Sequence, residues 1–139
     1  MIAPRIVVDT NVVISGLLFG GTPARVLNHI VEGSVLCFTS LPILDEIRDV
    51  LQRPKFGLSP DQSLWFVEEL HALCRVVNPT ERVRTIEADP DNNIILECAA
   101  AANAVMIVSG DSHLLDLRQW RDIHILSPSD FLKTMEIGP

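Results

Sequence analysis

Arg5-Ile6-Val7-Val8-Asp9-Thr10-Asn11 runs three β-branched apolar residues straight into a carboxylate and two short polar side chains. An unbroken apolar run of this length, bounded by polar residues, reads as a strand buried on both faces, which is the habit of parallel sheets. Val105-Met106-Ile107-Val108-Ser109-Gly110-Asp111 repeats the arrangement a hundred residues later. In an open α/β sheet, ligands bind outside the carboxyl ends of the strands. Two carboxylates stationed there, Asp9 and Asp111, mark a candidate site before anything else in the chain is read.

Outward from these two stretches, strands and helices alternate. Strands are predicted at residues 6–8, 35–39, 75–77, 105–108 and 123–126, the third of them short and at an edge. Thr22-Pro23 opens a helix over 23–32, closed by Gly33. Ser40-Leu41-Pro42 opens another that runs to about residue 53, stopped by Pro54, and Ser59-Pro60 opens a third, to about residue 73. Asp89-Pro90 opens a fourth, to about residue 103, and Ser127-Pro128 begins a short last one. A capping residue followed by proline is a helix-start signal. The alternation implies βαβ units, hence an α/β fold: three layers, α/β/α, around a parallel sheet of four to five strands. A length of 139 residues suits a single domain spanning 1–139.

Helical phase sorts the remaining acids. In the helix after Ser40, Ile43, Leu44, Ile47, Val50 and Leu51 form one apolar stripe. Asp45 and Asp49 fall opposite it, and Glu46 falls on its border, where a side chain can lean into a cleft beside the sheet. The plain alternative is an ordinary exposed glutamate. Asp91 lies three and four residues before Ile94 and Ile95 and so shares their inward face, at a helix N-terminus that favours an anion. Glu97 is a weaker candidate. Asp89 suits an N-cap, a role sufficient for it. Asp9 and Asp111 have structural alternatives too, as caps or Asx-turns. Asn11 and Ser109 are placed to support the carboxylates, and Ser15 can do so from the start of the next segment. His29, His71, His113 and His124 show no ligand spacing.

A cluster of Asp9, Glu46, Asp91 and Asp111 is the hard-oxygen donor set that Mg²⁺ or Mn²⁺ takes, with waters left for a substrate phosphate. The net charge of −7 argues against tight non-specific duplex binding. Setting the four proposed ligands aside reduces it to −3. Arginines cluster at Arg48 and Arg53 with Lys55, at Arg75, Arg82 and Arg84, and at Arg118 and Arg121. That residue type suits phosphate, although a solvated surface explains any one cluster as well. Cys37, Cys74 and Cys98 lack metal or disulfide spacing and read as buried thiols of a reducing compartment. No run is long enough to span a membrane and no signal-peptide pattern is visible, so a cytoplasmic protein without membrane contact is expected.

At these residues the chain resembles the PIN-domain ribonucleases. Ile6-Val7-Val8-Asp9-Thr10-Asn11-Val12 looks like that family's opening motif, and Leu44-Asp45-Glu46-Ile47 with Val50-Leu51-Gln52-Arg53 like its glutamate helix. Asp89 to Ala99 resembles its third acidic segment, and Ile107-Val108-Ser109-Gly110-Asp111 its (Thr/Ser)-x-Asp motif. The subgroup it is most similar to is the VapC-like toxins of toxin–antitoxin systems. The resemblance implies a Mg²⁺- or Mn²⁺-dependent endoribonuclease with Asp9, Glu46, Asp91 and Asp111 in the acidic cluster. Single-stranded or structured RNA would be its substrate, cleaved by metal-activated water. It also implies a homodimer and an antitoxin partner. Two departures matter. Asn92 stands where a second adjacent aspartate is common, which leaves the third ligand open between Asp91 and its neighbours. Ser112 and His113 follow Asp111, so a fifth acid is not in place.

Readings from other classes fit less well. A haloacid-dehalogenase-like phosphatase wants an aspartate where Asn11 stands, and both it and a phospho-receiver domain want a lysine that neither Lys55 nor Lys133 supplies. A catalytically silent PIN-like module for RNA or protein binding is the main alternative.

Overall fold

The computed structural model describes residues 2–136; Met1 and residues 137–139 lie outside them. Its centre is a six-stranded sheet in the order β3-β2-β1-β4-β6-β5, formed by β1 (Arg5–Val8), β2 (Leu36–Thr39), β3 (Arg75–Val76), β4 (Met106–Val108), β5 (Gln119–Trp120) and β6 (Ile123–Leu126). Every pairing is parallel except that of β5 with β6. The architecture is the expected three-layer α/β/α, with one strand more than the sequence pattern counted. The extra one is the two-residue antiparallel β5 at the edge, too short to leave a periodic signal.

Helices fall where cap and proline signals place them. Ser40 caps α3 (Leu41–Leu51), its hydroxyl accepting from the Ile43 amide. Ser59 and Gln62 form a reciprocal capping box at the start of α4 (Pro60–Leu73), satisfying two otherwise orphaned amides. α2 (Gly21–Val31), α5 (Asn93–Ala102) and α7 (Pro128–Glu136) complete the larger set. α5 lies across β1, β2 and β4, while α2 packs on α7. Ile6, Val7, Ile107 and Val108 are fully buried, as runs sandwiched between two helical layers must be.

Two features depart from the sequence pattern. Residues 10–18, to which it assigns no element, form α1 (Thr10–Leu18). Val12-Val13-Ile14 are β-branched, so local preference hides the helix; burial of all three overrides it. The helix expected from Asp89-Pro90 begins instead as a tight 3-10 turn, Pro90–Asn92, and only then becomes α5. A three-residue period does not carry the phase of Ile94 and Ile95 back to position 91. Asp91 is therefore exposed and Asn92 is the buried residue of that turn, which corrects the inward placement of Asp91. Asp89 does not cap with its side chain either.

α1 and α2 meet at Gly16. A Cβ built there would stand 2.7 Å from Leu27 Cδ1 and 2.9 Å from the Pro23 carbonyl oxygen. Replacing glycine by alanine inside a helix ordinarily stabilises by about 0.5–1 kcal/mol. Here backbone of the neighbouring helix must move. Gly16→Ala is expected to destabilise by about 1–3 kcal/mol, read as a lower thermal midpoint; a raised midpoint contradicts the close helix approach.

Candidate active site at the carboxyl edge of the sheet

β1 and β4 are adjacent, parallel and in register, Val8 against Val108. Their exits therefore place Asp9 and the Ser109–Asp111 turn side by side. The Asp9 amide donates to the Val108 carbonyl at 2.9 Å. Its Oδ1 accepts from the Thr10 amide at 2.7 Å, capping α1, and its Oδ2 accepts from the Ser109 hydroxyl at 2.7 Å. That hydroxyl accepts in turn from the Asp111 amide at 3.0 Å. Asp111 Oδ1 accepts from the His113 amide at 2.8 Å, capping the short α6 (Ser112–Leu115), and from Asn92 Nδ2 at 3.0 Å. Asn92 Nδ2 also lies 3.4 Å from Asp89 Oδ2. Three acids are thus joined by two neutral groups, the Ser109 hydroxyl and the Asn92 amide.

Charge accumulates around this chain of bonds. Asp9 is only 4% exposed. Burial raises its pKa above the ordinary value; the Ser109 and Thr10 bonds pull it back, and Asp111 and Asp89 push it up again. Glu46, on α3, is raised first by burial and then by Asp9, Asp91 and Asp89. The five acids therefore share one electrostatic neighbourhood. The Thr10 hydroxyl stands near Glu46 and is buried without completing a hydrogen bond.

The chemistry of these donors fits a hard divalent cation: oxygen atoms only, crowded like charges, and one orphaned hydroxyl. Among the described residues, no three Asp, Glu, His or Cys side chains stand as they are in an arrangement that could hold a metal ion. Asp91 is exposed and Glu46 half-buried.

The structure distributes the remaining sequence candidates as follows. Ser109 is fully buried between Asp9 and Asp111. Asn11 is exposed and Ser15 half-buried; among the described residues neither bonds an acid through its side chain, and both line a separate cleft on α1. Glu97 is committed elsewhere, accepting from the Val83 amide at 2.8 Å. Asn93 likewise pins Ile86 through both its amide and its carbonyl, at 3.0 and 2.9 Å. These bonds hold the loop before Asp89 against α5. Arg82 and Arg84 flank Val83 there and line a cleft of about 520 Å³ whose wall includes Pro90. Sequence reasoning missed Asp89 and Asn92 as members of the site. The signal for Asn92 was present, an amide where a second acid is common, and it was read only as an absence.

The sequence model of the PIN domain matches residues 5–113. The chain belongs to the PIN-domain family. PIN domains are in general nucleases. A 28% identical relative, the uncharacterized protein MJ1680 of Methanocaldococcus jannaschii, aligns over 95% of this chain and 92% of its own length. Among solved structures, a chain of VapBC2 from Rickettsia felis, bound to a DNA fragment from its promoter, superposes with a TM-score of 0.65. That match is 11% identical and covers 88% of this PIN domain and 98% of the other chain; it speaks for the fold.

Burial and crowding of Asp9 have a measurable consequence in cation-free buffer. A carboxylate whose folded pKa is raised costs nothing below its unfolded pKa and destabilises increasingly as pH climbs through the folded one. Asp9→Asn lacks that cost. Its thermal midpoint in EDTA is expected to exceed wild type at about pH 7.5 and to converge with it toward about pH 3, below the ordinary carboxylate range. Equal midpoints throughout, or a variant less stable at neutral pH, contradict a crowded, buried Asp9.

Proposed function

We propose that this PIN domain is a Mg²⁺- or Mn²⁺-dependent endoribonuclease that hydrolyses phosphodiester bonds in single-stranded RNA, and that it is the toxin of a toxin–antitoxin pair. The observation that carries the reading is the hydrogen-bonded chain from Asp89 through Asn92, Asp111 and Ser109 to Asp9, at the carboxyl edge of the sheet. Nothing in packing requires so many like charges in one place, and they raise the pKa values of Asp9 and Glu46. Such a cluster is useful when a cation neutralises it.

Asp9, Glu46, Asp91 and Asp111 would hold the cation, with Asp89 as a further oxygen donor beside Asp91. When bound, a divalent cation supplies Lewis acidity toward the phosphate and lowers the pKa of water. The protein does the rest. Ser109 keeps Asp9 and Asp111 at one spacing. Asn92 orients Asp111. Asp9, buried and crowded by Asp111 and Asp89, has a raised pKa that a bound cation would lower. The Arg82–Arg84 loop, pinned to α5 through Glu97, lines a cleft that reaches Pro90, and its guanidinium groups would suit a strand's phosphates.

Asp9→Asn, Glu46→Gln and Asp111→Asn are each expected to lower RNA cleavage in Mn²⁺ or Mg²⁺ by at least about 100-fold, and Ser109→Ala by roughly 10–100-fold, the usual loss on removing a ligand-orienting group. Asp45→Asn and Asp49→Asn, on the exposed side of α3, should cleave as wild type does. Wild-type cleavage by Asp9→Asn rejects the mechanism. The second reading is a PIN domain that binds RNA or protein without cutting. It is favoured by Asn92 in place of an acid and by the unclosed donor set. RNA retained intact under every cation tested would support it.

Partners follow the same proposal: an antitoxin offering a basic side chain to the acids, and a second copy of the chain. Leu64 and Trp65 are exposed neighbours on α4, 48% and 56%, an apolar spot of the kind a partner covers. No helix among the described residues is long and apolar enough to cross a membrane, which accords with action on RNA in the cytoplasm. Light scattering is expected to give a dimer, weakened by Trp65→Ser; a strict monomer at high concentration rejects the association and leaves the nuclease assignment standing.

A further inference from the structure

A second cleft, of about 320 Å³, opens along α1, the helix that Asp9 caps. Two side-chain stripes wall it. Asn11 and Ser15 on α1, and Phe19 at its C-cap, succeed one another at four-residue spacing and so follow one face. Val50 follows Glu46 by one turn of α3, and Arg53 stands in extended backbone just past the helix end. Lys55 and Phe56, from the 3-10 turn Pro54–Phe56, close the far end. The α1 stripe starts two residues after Asp9 and runs about 12 Å, the reach of a short strand and more than an ion requires.

The composition of this cleft is unlike that of the chain around it. The protein carries a net charge of −7, yet the lining holds two cations and no acid. Arg53 and Lys55 form no ion pair among the described residues, whereas Arg48 on α3 is paired with Asp45 outside the cleft at 3.5 Å. Phe19 is 72% exposed, an unusual placement for a phenyl ring. Its ring lies 6.2 Å from that of Phe56, tilted by 43°, and Lys55 Nζ stands 5.1 Å from the Phe56 centroid. Free cations interleaved with an exposed aromatic face are the elements of single-strand nucleic-acid binding: charge for the backbone and a ring for a base. An apolar peptide would leave both cations unanswered, while a strand of phosphates answers them.

We infer that the cleft between α1 and α3 is a binding subsite for the part of a single-stranded RNA flanking the bond to be cut, with Arg53 and Lys55 on phosphates and Phe19 stacked on a base. The inference rests on the nuclease reading for its substrate class, and it is tested by binding, not cleavage. The probe is a 5′-labelled hexauridylate, compared with a ribose-phosphate hexamer lacking bases, followed by fluorescence anisotropy in EDTA. Wild type should bind the hexauridylate. Arg53→Gln/Lys55→Gln should weaken it at least tenfold and reduce the slope of log affinity against log salt by about 1.4, at roughly 0.7 per phosphate contact on single strands. Phe19→Ala should weaken the hexauridylate by about tenfold and leave the base-free hexamer unchanged. All three side chains are exposed, so thermal midpoints should stay at the wild-type value. Unchanged affinity in these variants overturns the subsite even in an enzyme that cuts RNA. So does a wild type that fails to bind the hexamer and instead captures a small protein partner through Phe19. Conversely, hexamer binding that depends on these residues, in a protein that cuts no RNA with Mn²⁺, keeps the subsite and removes the nuclease.

Discussion

One hydroxyl ties the ends of two neighbouring parallel strands together where each runs into an acid. Ser109 donates to the Asp9 carboxylate and accepts from the Asp111 backbone amide, so a neutral group links the two residues where their charges alone would part. Asn92 performs the same service between Asp111 and Asp89. The rest of the fold can be understood as what this arrangement needs. The register of β1 on β4 fixes the spacing, α1 takes Asp9 as its cap, and α3 brings Glu46 to within electrostatic reach. The helical layers also keep water from Asp9. Low dielectric makes the polar chain strong and its charges expensive at once.

Asp9 and Asp111 were legible because the strands leading to them are uninterrupted apolar runs, and such runs force a parallel sheet whose carboxyl edge is a binding edge. Glu46 was legible from helical phase, since the α3 stripe is regular and its cap is clear. The third acidic segment was not. Phase arithmetic assumed an α-helix from Pro90 onward, while the chain takes a 3-10 turn first, so the inward position belongs to Asn92 and Asp91 faces out. α1 was hidden for a different reason: three β-branched residues in succession argue locally for a strand, and only burial against the sheet makes them helical. Arg53 and Lys55 were visible as a basic cluster, but nothing in sequence joined them to Phe19, which reaches them through the α1–α3 contact.

The negative charge of this acidic chain is unevenly distributed. Asp9, Glu46, Asp89, Asp91 and Asp111 crowd at the sheet edge. Arg82 and Arg84 stand on the loop pinned by α5, and Arg53 and Lys55 line the cleft beside α1. Such a layout favours short local contact over the extensive phosphate neutralisation of tight duplex binders.

Whether the acids form one cation site organised around Asp9 is decided by titration calorimetry of Mn²⁺ into the metal-free protein at neutral pH, with wild type and Asp9→Asn side by side. Saturable binding by wild type is expected, with proton release that grows as the pH is lowered toward the raised carboxylate range, and loss of most of that binding in the variant. Absence of binding by wild type, or equal affinity in Asp9→Asn, would overturn the shared site.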